Sequence, residues 1–248
     1  VVKRKKITSW NNTYQKNAIK IYPRNLLDLK KIISKLKKNK KYYIIKTGAC
    51  SYGSKSIHAN DDTFVLSLKN FNKITLINKK NKFVEVEAGA KIKDIVNVLK
   101  KNKSTLYSVP GGEHISIGGA ISANAIGKDS SKKISCFGDG IISLEILDEK
   151  GSVKILKKSK NMNNYVGALG TTGLILKARL KTKEIKSPNL YLESTILKNF
   201  KEIKNELSKK NDYQYIQVDP FFRKENFAIL FKANFIKSGK NLYKKIYL

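Results

Sequence analysis

Three short segments of this sequence consist largely of glycine and other small residues, which let main-chain groups approach a ligand closely. They are Thr47–Ser54 (TGACSYGS), Pro110–Lys128 (PGGEHISIGGAISANAIGK) and Tyr165–Ile175 (YVGALGTTGLI). Successive main-chain N–H groups in such a turn form a concave anion site, to which Ser51 and Ser54 add hydroxyl donors. The first segment is therefore a candidate pyrophosphate site, and an ordinary Gly/Ser turn is the alternative.

The second segment carries five glycines where core side chains would otherwise be valuable. Each glycine in a regular element costs about 0.5–1 kcal/mol relative to alanine. A flat ring lying against the main chain would explain that cost, with Ser116 and Asn124 bonded to ring nitrogens or carbonyls. A loop packed for structural reasons is the alternative. Taken with the third segment, the pattern predicts one elongated ligand with a phosphate at one end and a planar ring at the other.

Helices and strands alternate irregularly between these segments, which predicts an α+β fold. Apolar residues recur at helical spacing after Pro23 and again after Lys91, so we expect two amphipathic helices there. Short apolar runs predict strands near residues 42–46, 63–68, 83–88, 140–147, 153–156 and 174–180. No GxGxxG motif follows the first predicted strand, which disfavours the usual dinucleotide-binding fold.

The composition is strongly basic, with 51 Lys+Arg against 19 Asp+Glu and a formal net charge of +32. Such an excess raises the question of nucleic acid or an anionic membrane. The lysines are spread along the whole chain, however, and arginine, which readers of bases and phosphates favour, is scarce. We therefore expect no specific nucleic-acid partner and regard the charge as a general feature of the composition. Peripheral contact with an anionic membrane is kept as an alternative.

Cysteine and histidine are too few for several common kinds of site. Cys50 and Cys136 form no disulfide framework or metal-ligand motif, and this usage fits a cytoplasmic protein. His58 and His114 are the only histidines, which argues against a zinc site or a Ser-His-Asp triad. No metal is expected. The chain lacks an initial Met and stops soon after a predicted strand, as a fragment does.

The order of the motifs resembles a known family. ITSWNN, TGACSYGS, LKNFNKI, EVEAGAKIKDIVNVL, the Pro110–Leu147 stretch and YVGALGTTGLI follow one another as in the FAD-binding domain of the vanillyl-alcohol oxidase and p-cresol methylhydroxylase (PCMH-type) superfamily. Within it, the sequence is most similar to sugar oxidases, namely decaprenylphosphoryl-ribose oxidases and aldonolactone oxidases such as those acting on D-arabinono-1,4-lactone or gulonolactone. The resemblance covers residues 7–180.

The resemblance implies FAD as the cofactor and assigns roles to residues of the three segments. It places the FAD pyrophosphate at the first turn, the isoalloxazine ring along the second segment, which we call the flavin wall, and the adenine end at the third. The implied cofactor-binding residues are Thr47, Gly48, Ala49, Cys50, Ser51, Tyr52, Gly53, Pro110, Gly111, Ser116, Gly118, Gly119, Ala123, Asn124, Gly127, Gly173 and Leu174. Lys128 is the nearest ionisable candidate for a catalytic residue, with a solvated lysine as the alternative.

Two positions depart from the pattern of the family. Members that hold flavin covalently carry a histidine where this sequence has Cys50, so we expect dissociable FAD, with a cysteinyl link as the alternative. The sugar oxidases carry a histidine before Gly-Lys, where this sequence has Ile126. Whatever that histidine contributes is missing here.

The resemblance also implies the domain order and the reaction. Residues 1–185 are expected to form a two-subdomain FAD-binding domain, and residues 186–248 the beginning of an α+β substrate domain. The expected enzyme takes a hydride from the CH–OH group of a sugar, a sugar lactone or a polyprenyl-phosphate sugar. Nothing in the sequence specifies the electron acceptor. The alternatives are an enolpyruvoyl-sugar reductase of the same FAD fold and a non-enzymatic basic protein that binds nucleic acid or membrane.

Overall fold

The structure, a computed structural model, describes residues 2–48, 63–77, 82–129, 136–157, 160–219 and 227–236. These residues form three β-sheets with helices packed on them, so the predicted α+β class is confirmed. Within these ranges the longest helix has 13 residues, and no helix is long and apolar enough to cross a membrane.

The first sheet has four strands and carries the turn that follows Lys46. Its strands are β1 (Val2–Thr8), β2 (Gln15–Ile21), β3 (Tyr43–Lys46) and β4 (Phe64–Ser67), in the order β1-β2-β4-β3. Helix α1 (Leu26–Lys38) connects β2 to β3. It begins where the Asn25 side chain accepts a hydrogen bond from the Asp28 N–H, a typical N-cap. Because β2 and β3 both run parallel to β4, their carboxyl ends lie at one edge of the sheet.

The second sheet is largely antiparallel and is built around one long strand. Its strands are β5 (Ile74–Ile77), β6 (Phe83–Glu87), β7 (Ser104–Leu106), β8 (Ile141–Leu147), β9 (Val153–Lys157) and β10 (Leu174–Glu184). The main order is β5-β6-β10-β8-β9, and β7 pairs with the end of β10. The connections contain α2 (Ile92–Lys100), α3 (Ile117–Ser122) and α4 (Lys160–Asn163). Strand β10 thus contacts β6, β7 and β8 at once.

A single hydrophobic core joins the first two sheets. It contains buried side chains from α1, from both sheets and from α2 and α3, including Leu29, Leu66, Ile95, Ile121 and Leu144. Each of these five is fully buried, and burying a side chain of this size stabilises the fold by about 1.5–3 kcal/mol. The positions of α3 and of the edge at Lys46 are therefore fixed relative to each other by shared packing.

The third sheet has its own, much smaller core. Its strands are β11 (Leu190–Leu197), β12 (Tyr213–Val218) and β13 (Ala228–Phe235), in the order β11-β13-β12, with α5 (Phe200–Leu207) between β11 and β12. One face packs against α5 through Leu197, Ala228 and Leu230. The domain boundary predicted after residue 185 falls between β10 and β11, and it stays a prediction.

The helices and strands that the sequence predicts are those in which apolar residues recur regularly. The two amphipathic helices after Pro23 and Lys91 are confirmed as α1 and α2, and the six expected strands are confirmed within a few residues. The sequence patterns predict no strands before Pro23, where β1 and β2 lie, and no helix in the second glycine-rich segment, which contains α3. The many lysines of β1 and β2 obscure the alternation of apolar and polar residues that predicts a strand. The two glycines in α3 lower its helix propensity, so no helix is predicted there.

The third sheet meets the second through Tyr213 of β12. The Tyr213 side chain lies beside that of Thr105 in β7, and Lys183 Nζ lies 5.5 Å from the centre of its ring. Burial, reinforced by the negative charge of Asp129, raises the pKa of the Tyr213 phenol to about 12. Burial therefore favours the neutral form of the Tyr213 phenol.

We expect Tyr213 to make part of the stability depend on pH above 10. Because the folded pKa exceeds the unfolded one, this contribution is fully present below pH about 10 and is lost as the pH rises towards about 12. The difference in unfolding free energy between the wild type and Tyr213→Phe should shrink over that interval. Urea unfolding of both proteins at several alkaline pH values measures it, and parallel pH curves would contradict the assignment.

Candidate functional site

The first and second glycine-rich segments touch at Thr47 and Ser116. The Ser116 hydroxyl donates a hydrogen bond to Thr47 Oγ1 at 2.9 Å. A Cβ atom added to Gly48 would lie 2.8 Å from Ser116 Oγ, and one added to Gly118 would lie 2.7 Å from Thr47 Cγ2. The absence of side chains at Gly48 and Gly118 therefore allows the two segments to approach this closely.

The third segment reaches the same helix from the other end. The Gly167 N–H donates to the Ile121 carbonyl at 3.0 Å, and the Leu169 N–H donates to the Ser122 carbonyl at 2.8 Å. Leu169 has φ +52° and its side chain is 63% exposed, which is unusual for a bulky apolar residue. Backbone in this rare region is typical of functional sites. All three segments thus converge on α3 and the residues that flank it.

The glycines of the site divide into two groups according to what a Cβ atom would meet. At Gly118 and Gly127 it would collide with protein atoms, so these glycines serve contacts within the protein. At Gly119 a Cβ atom would also be tight, 3.2 Å from Ser116 Oγ. At Gly111 the nearest atom of the described residues is 3.4 Å away, on a side chain, and at Gly170 no described residue lies within 4 Å. Main chain at the exposed Gly111 and Gly170 is therefore open on the side of the described residues, as a cofactor held mainly by main-chain groups requires.

Ser116 and Asn124 have partners within the protein. Besides the bond from Ser116 to Thr47, Asn124 Oδ1 accepts a hydrogen bond from the Gly138 N–H at 2.9 Å. Asn124 also has φ +45°, a conformation that asparagine tolerates better than most residues. The structure thus gives Ser116 a role in joining the first two segments, and Asn124 a role in holding the turn before β8 against the end of α3. Their expected contact with a flavin ring stays a prediction.

The flavin wall ends in a short paired segment beside the third sheet. Pro110 and Gly127 form an isolated β-bridge. Lys128, which follows, is exposed, and its Nζ lies 4.8 Å from the centre of the Tyr215 ring. The Lys128 carbonyl accepts a hydrogen bond from the Gln214 N–H at 2.8 Å. Lys128 therefore lies where the wall meets β12.

The remaining predicted residues lie around this framework. Ala123 is exposed at the end of α3, and Ile126 is 73% exposed. Gly173 has φ +154° and precedes the buried Leu174, which opens β10. Predicted site residues outside the described part of the chain are Ala49, Cys50, Ser51, Tyr52 and Gly53.

Sequence reasoning missed two features of the site. Asp129, directly after Lys128, has a buried carboxylate that accepts hydrogen bonds from the Val109 N–H. Its signal was a single acidic residue in a basic stretch, which is too common to single out. Leu169 was missed because its rare backbone conformation has no sequence signal. Within the described ranges no cluster of His, Cys, Asp and Glu could hold a metal ion.

Known proteins resemble this chain in sequence and in fold. It is 27% identical over 135 residues to the decaprenylphosphoryl-β-D-ribose oxidase of Mycolicibacterium smegmatis, covering 53% of this chain and 29% of that protein. It is 23% identical over 231 residues to the L-gulonolactone oxidase of Mus musculus, covering 90% of this chain and 50% of that protein. The chain therefore spans half or less of the length of these relatives.

The fold is shared with solved structures of alkyldihydroxyacetonephosphate synthase. One of them has a TM-score of 0.72 at 13% identity, over 89% of this chain and 49% of that one. The FAD binding domain family matches residues 18–157, which include the first sheet from β2 onward, the flavin wall and strands β8 and β9. The match identifies FAD as the cofactor. This chain belongs to the FAD-binding domain family of the PCMH type.

Proposed function

We propose that the chain is the flavin-binding part of an FAD-dependent oxidoreductase that takes a hydride from the CH–OH group of a sugar, a sugar lactone or a polyprenyl-phosphate sugar. The observation that carries this proposal is the meeting of three glycine-rich segments at α3, with Lys128 and the third sheet at one end. The oxidase names of the two sequence relatives support the reaction type.

FAD, when bound, supplies the hydride acceptor for this chemistry. The protein has to hold the cofactor and place the hydroxyl-bearing carbon of the substrate next to it. Main-chain groups at the exposed Gly111 and Gly170 are open on the side of the described residues and could hold the cofactor. We propose that the cofactor is bound without a covalent link, because the flavin-linking histidine of related proteins is replaced by Cys50.

Lys128 is proposed to bind the substrate as a cation. Its Nζ lies 4.8 Å from the centre of the Tyr215 ring, a distance at which an ammonium cation is attracted to an aromatic face. A charged ammonium group donates hydrogen bonds to a hydroxyl or phosphate oxygen but accepts no proton. The geometry thus supports Lys128 as a substrate-positioning residue more than as the base that removes the hydroxyl proton.

The face of the third sheet that carries Tyr215 supports a substrate with an apolar part. Cross-strand pairing places Tyr213, Tyr215 and Phe231 on this face, and the Tyr215 and Phe231 rings stack at 6.1 Å. Leu192 and the exposed Ile196 of β11 lie on the same face. Aromatic rings suit the apolar faces of a sugar, and the aliphatic residues suit a hydrocarbon chain. Of the three substrates, this favours the polyprenyl-phosphate sugar.

We expect purified protein saturated with FAD to show the visible absorption bands of bound flavin and to release all of it on acid precipitation. Release follows from the absence of a covalent link. The measurement is the absorption spectrum of the supernatant and the pellet. Yellow colour retained in the pellet would instead indicate a cysteinyl link at Cys50, which Cys50→Ser would abolish.

Gly118→Ala should weaken FAD binding and lower stability, because the added methyl group meets Thr47 and Ala88 and pushes the first segment away from α3. Overpacking of this kind costs about 1–3 kcal/mol, and about 1.4 kcal/mol of lost binding energy raises the dissociation constant tenfold. The matched control is Gly140→Ala, whose methyl group has its nearest neighbour at 3.6 Å. Fluorescence titration with FAD and urea unfolding of both variants measure the effects; equal behaviour would contradict the packing argument.

Under anaerobic conditions, bleaching of the bound flavin by candidate substrates tests the reaction itself. We expect polyprenyl-phosphate sugars to reduce the flavin faster than aldonolactones, and Lys128→Met to slow reduction about tenfold or more through the loss of a charged hydrogen bond worth about 1.5–3 kcal/mol. Reduction by NADPH instead of sugars would assign the chain to the enolpyruvoyl-sugar reductase type.

A further inference from the structure

Asp129 is a buried carboxylate with no role in the chemistry described above. Its side chain is 1% exposed. Each carboxylate oxygen lies 3.2 Å from the Val109 N–H, and Lys183 Nζ on β10 lies 3.3 Å from Oδ2. Burying a carboxylate is costly unless it is paired and hydrogen-bonded, as this one is. Because its burial is costly, the charge of the Asp129 carboxylate is expected to serve a purpose at this position.

The carboxylate joins the two ends of the flavin wall. Val109 directly precedes Pro110, and Pro110 is bridged to Gly127. A Cβ atom on Gly127 would lie 2.3 Å from Asp129 Oδ1 and 2.6 Å from the Val109 carbonyl oxygen. Asp129 thus packs directly against the bridge that closes the wall, and its bonds to Val109 fix where the wall begins and ends.

The Asp129 carboxylate also links the flavin wall to β10 and to β12 of the third sheet. Lys183 comes from the far end of β10, and its Nζ also lies near the ring of Tyr213 on β12. The charge of Asp129 acts on Tyr213, and the neighbouring Lys128 carbonyl is bonded to Gln214 of β12. The wall, β10 and β12 therefore meet around one ion pair.

A buried ion pair is weak evidence for stability, because desolvation offsets most of its attraction, but its directional bonds specify one arrangement. We propose that Asp129 is a positioning residue that, through its ion pair with Lys183, sets the flavin wall and Lys128 in register with the third sheet. The inference rests on the proposed function, since it concerns the surroundings of the bound flavin. A merely structural role would affect unfolding only.

The test uses the full chain saturated with FAD and compares Asp129→Asn, Lys183→Met and the double variant. Asn keeps the size of the side chain and an oxygen that can accept from Val109, but it removes the charge. We expect each single variant to change the visible circular dichroism of the bound flavin and to raise the FAD dissociation constant about fivefold or more. The double variant should resemble the single ones, because groups that act as a unit give non-additive effects.

Glu85→Gln is the matched control. Glu85 of β6 pairs with Arg179 of β10, with Oε2 and Nε 2.8 Å apart. Arg179 lies on the same strand as Lys183, four residues before it. Glu85→Gln should leave the flavin dichroism and the FAD dissociation constant unchanged. If Asp129→Asn fails to fold, the flavin dichroism and the FAD dissociation constant of Lys183→Met alone decide whether the inference holds. Flavin signals equal to those of Glu85→Gln, or additive effects in the double variant, would overturn the inference. A wild-type chain that binds no FAD would instead overturn the proposed function.

Discussion

The close approach of three segments rich in glycine and other small residues is the constraint on which the rest of this structure depends. The bond from Ser116 to Thr47 and the contact between Gly118 and Thr47 hold the first sheet against α3. The approach is possible because the shared core, with Leu66 from one sheet and Ile121 from α3, fixes both partners. Packing in the core thus determines how closely the main chains can come, and this in turn determines where main-chain groups are accessible to the cofactor.

The general position of this site was predictable from the sequence. Which of its residues contact other parts of the protein, and which are open to a ligand, was not. Small residues indicate that main chain comes close to something, but a sequence does not say whether that is a ligand or another part of the chain. Gly118 and Gly127 contact protein, whereas a Cβ atom added to the exposed Gly111 would have no neighbour among the described residues closer than 3.4 Å. Ser116 and Asn124 were expected to face the ring, yet both have partners in neighbouring segments. Such partners come from distant positions, and no local pattern reveals them.

Secondary structure followed the sequence where apolar periodicity was strong. Helix α1 has a regular apolar stripe and an Asn25 cap, and both signals are local. Strand β1 consists mainly of lysine and arginine, which is common in edge strands because charge discourages pairing with other chains. Helix α3 carries two glycines, each unfavourable by about 1 kcal/mol. It forms because Ile117 and Ile121 are buried in the core, so tertiary packing outweighs local propensity there.

The junction between the flavin wall and the third sheet has a different physical basis from the rest of the fold. The third sheet has a core of only a few buried side chains around Leu230, which gives it little means of fixing its own orientation. Its attachment uses directional polar contacts instead: Gln214 to the Lys128 carbonyl, and the group formed by Asp129, Lys183 and Tyr213. Apolar packing tolerates small shifts, whereas hydrogen bonds weaken steeply once their angle is lost. In an enzyme whose substrate lies between a flavin and a neighbouring sheet, such contacts would set the distance between cofactor and substrate more narrowly than a small apolar interface.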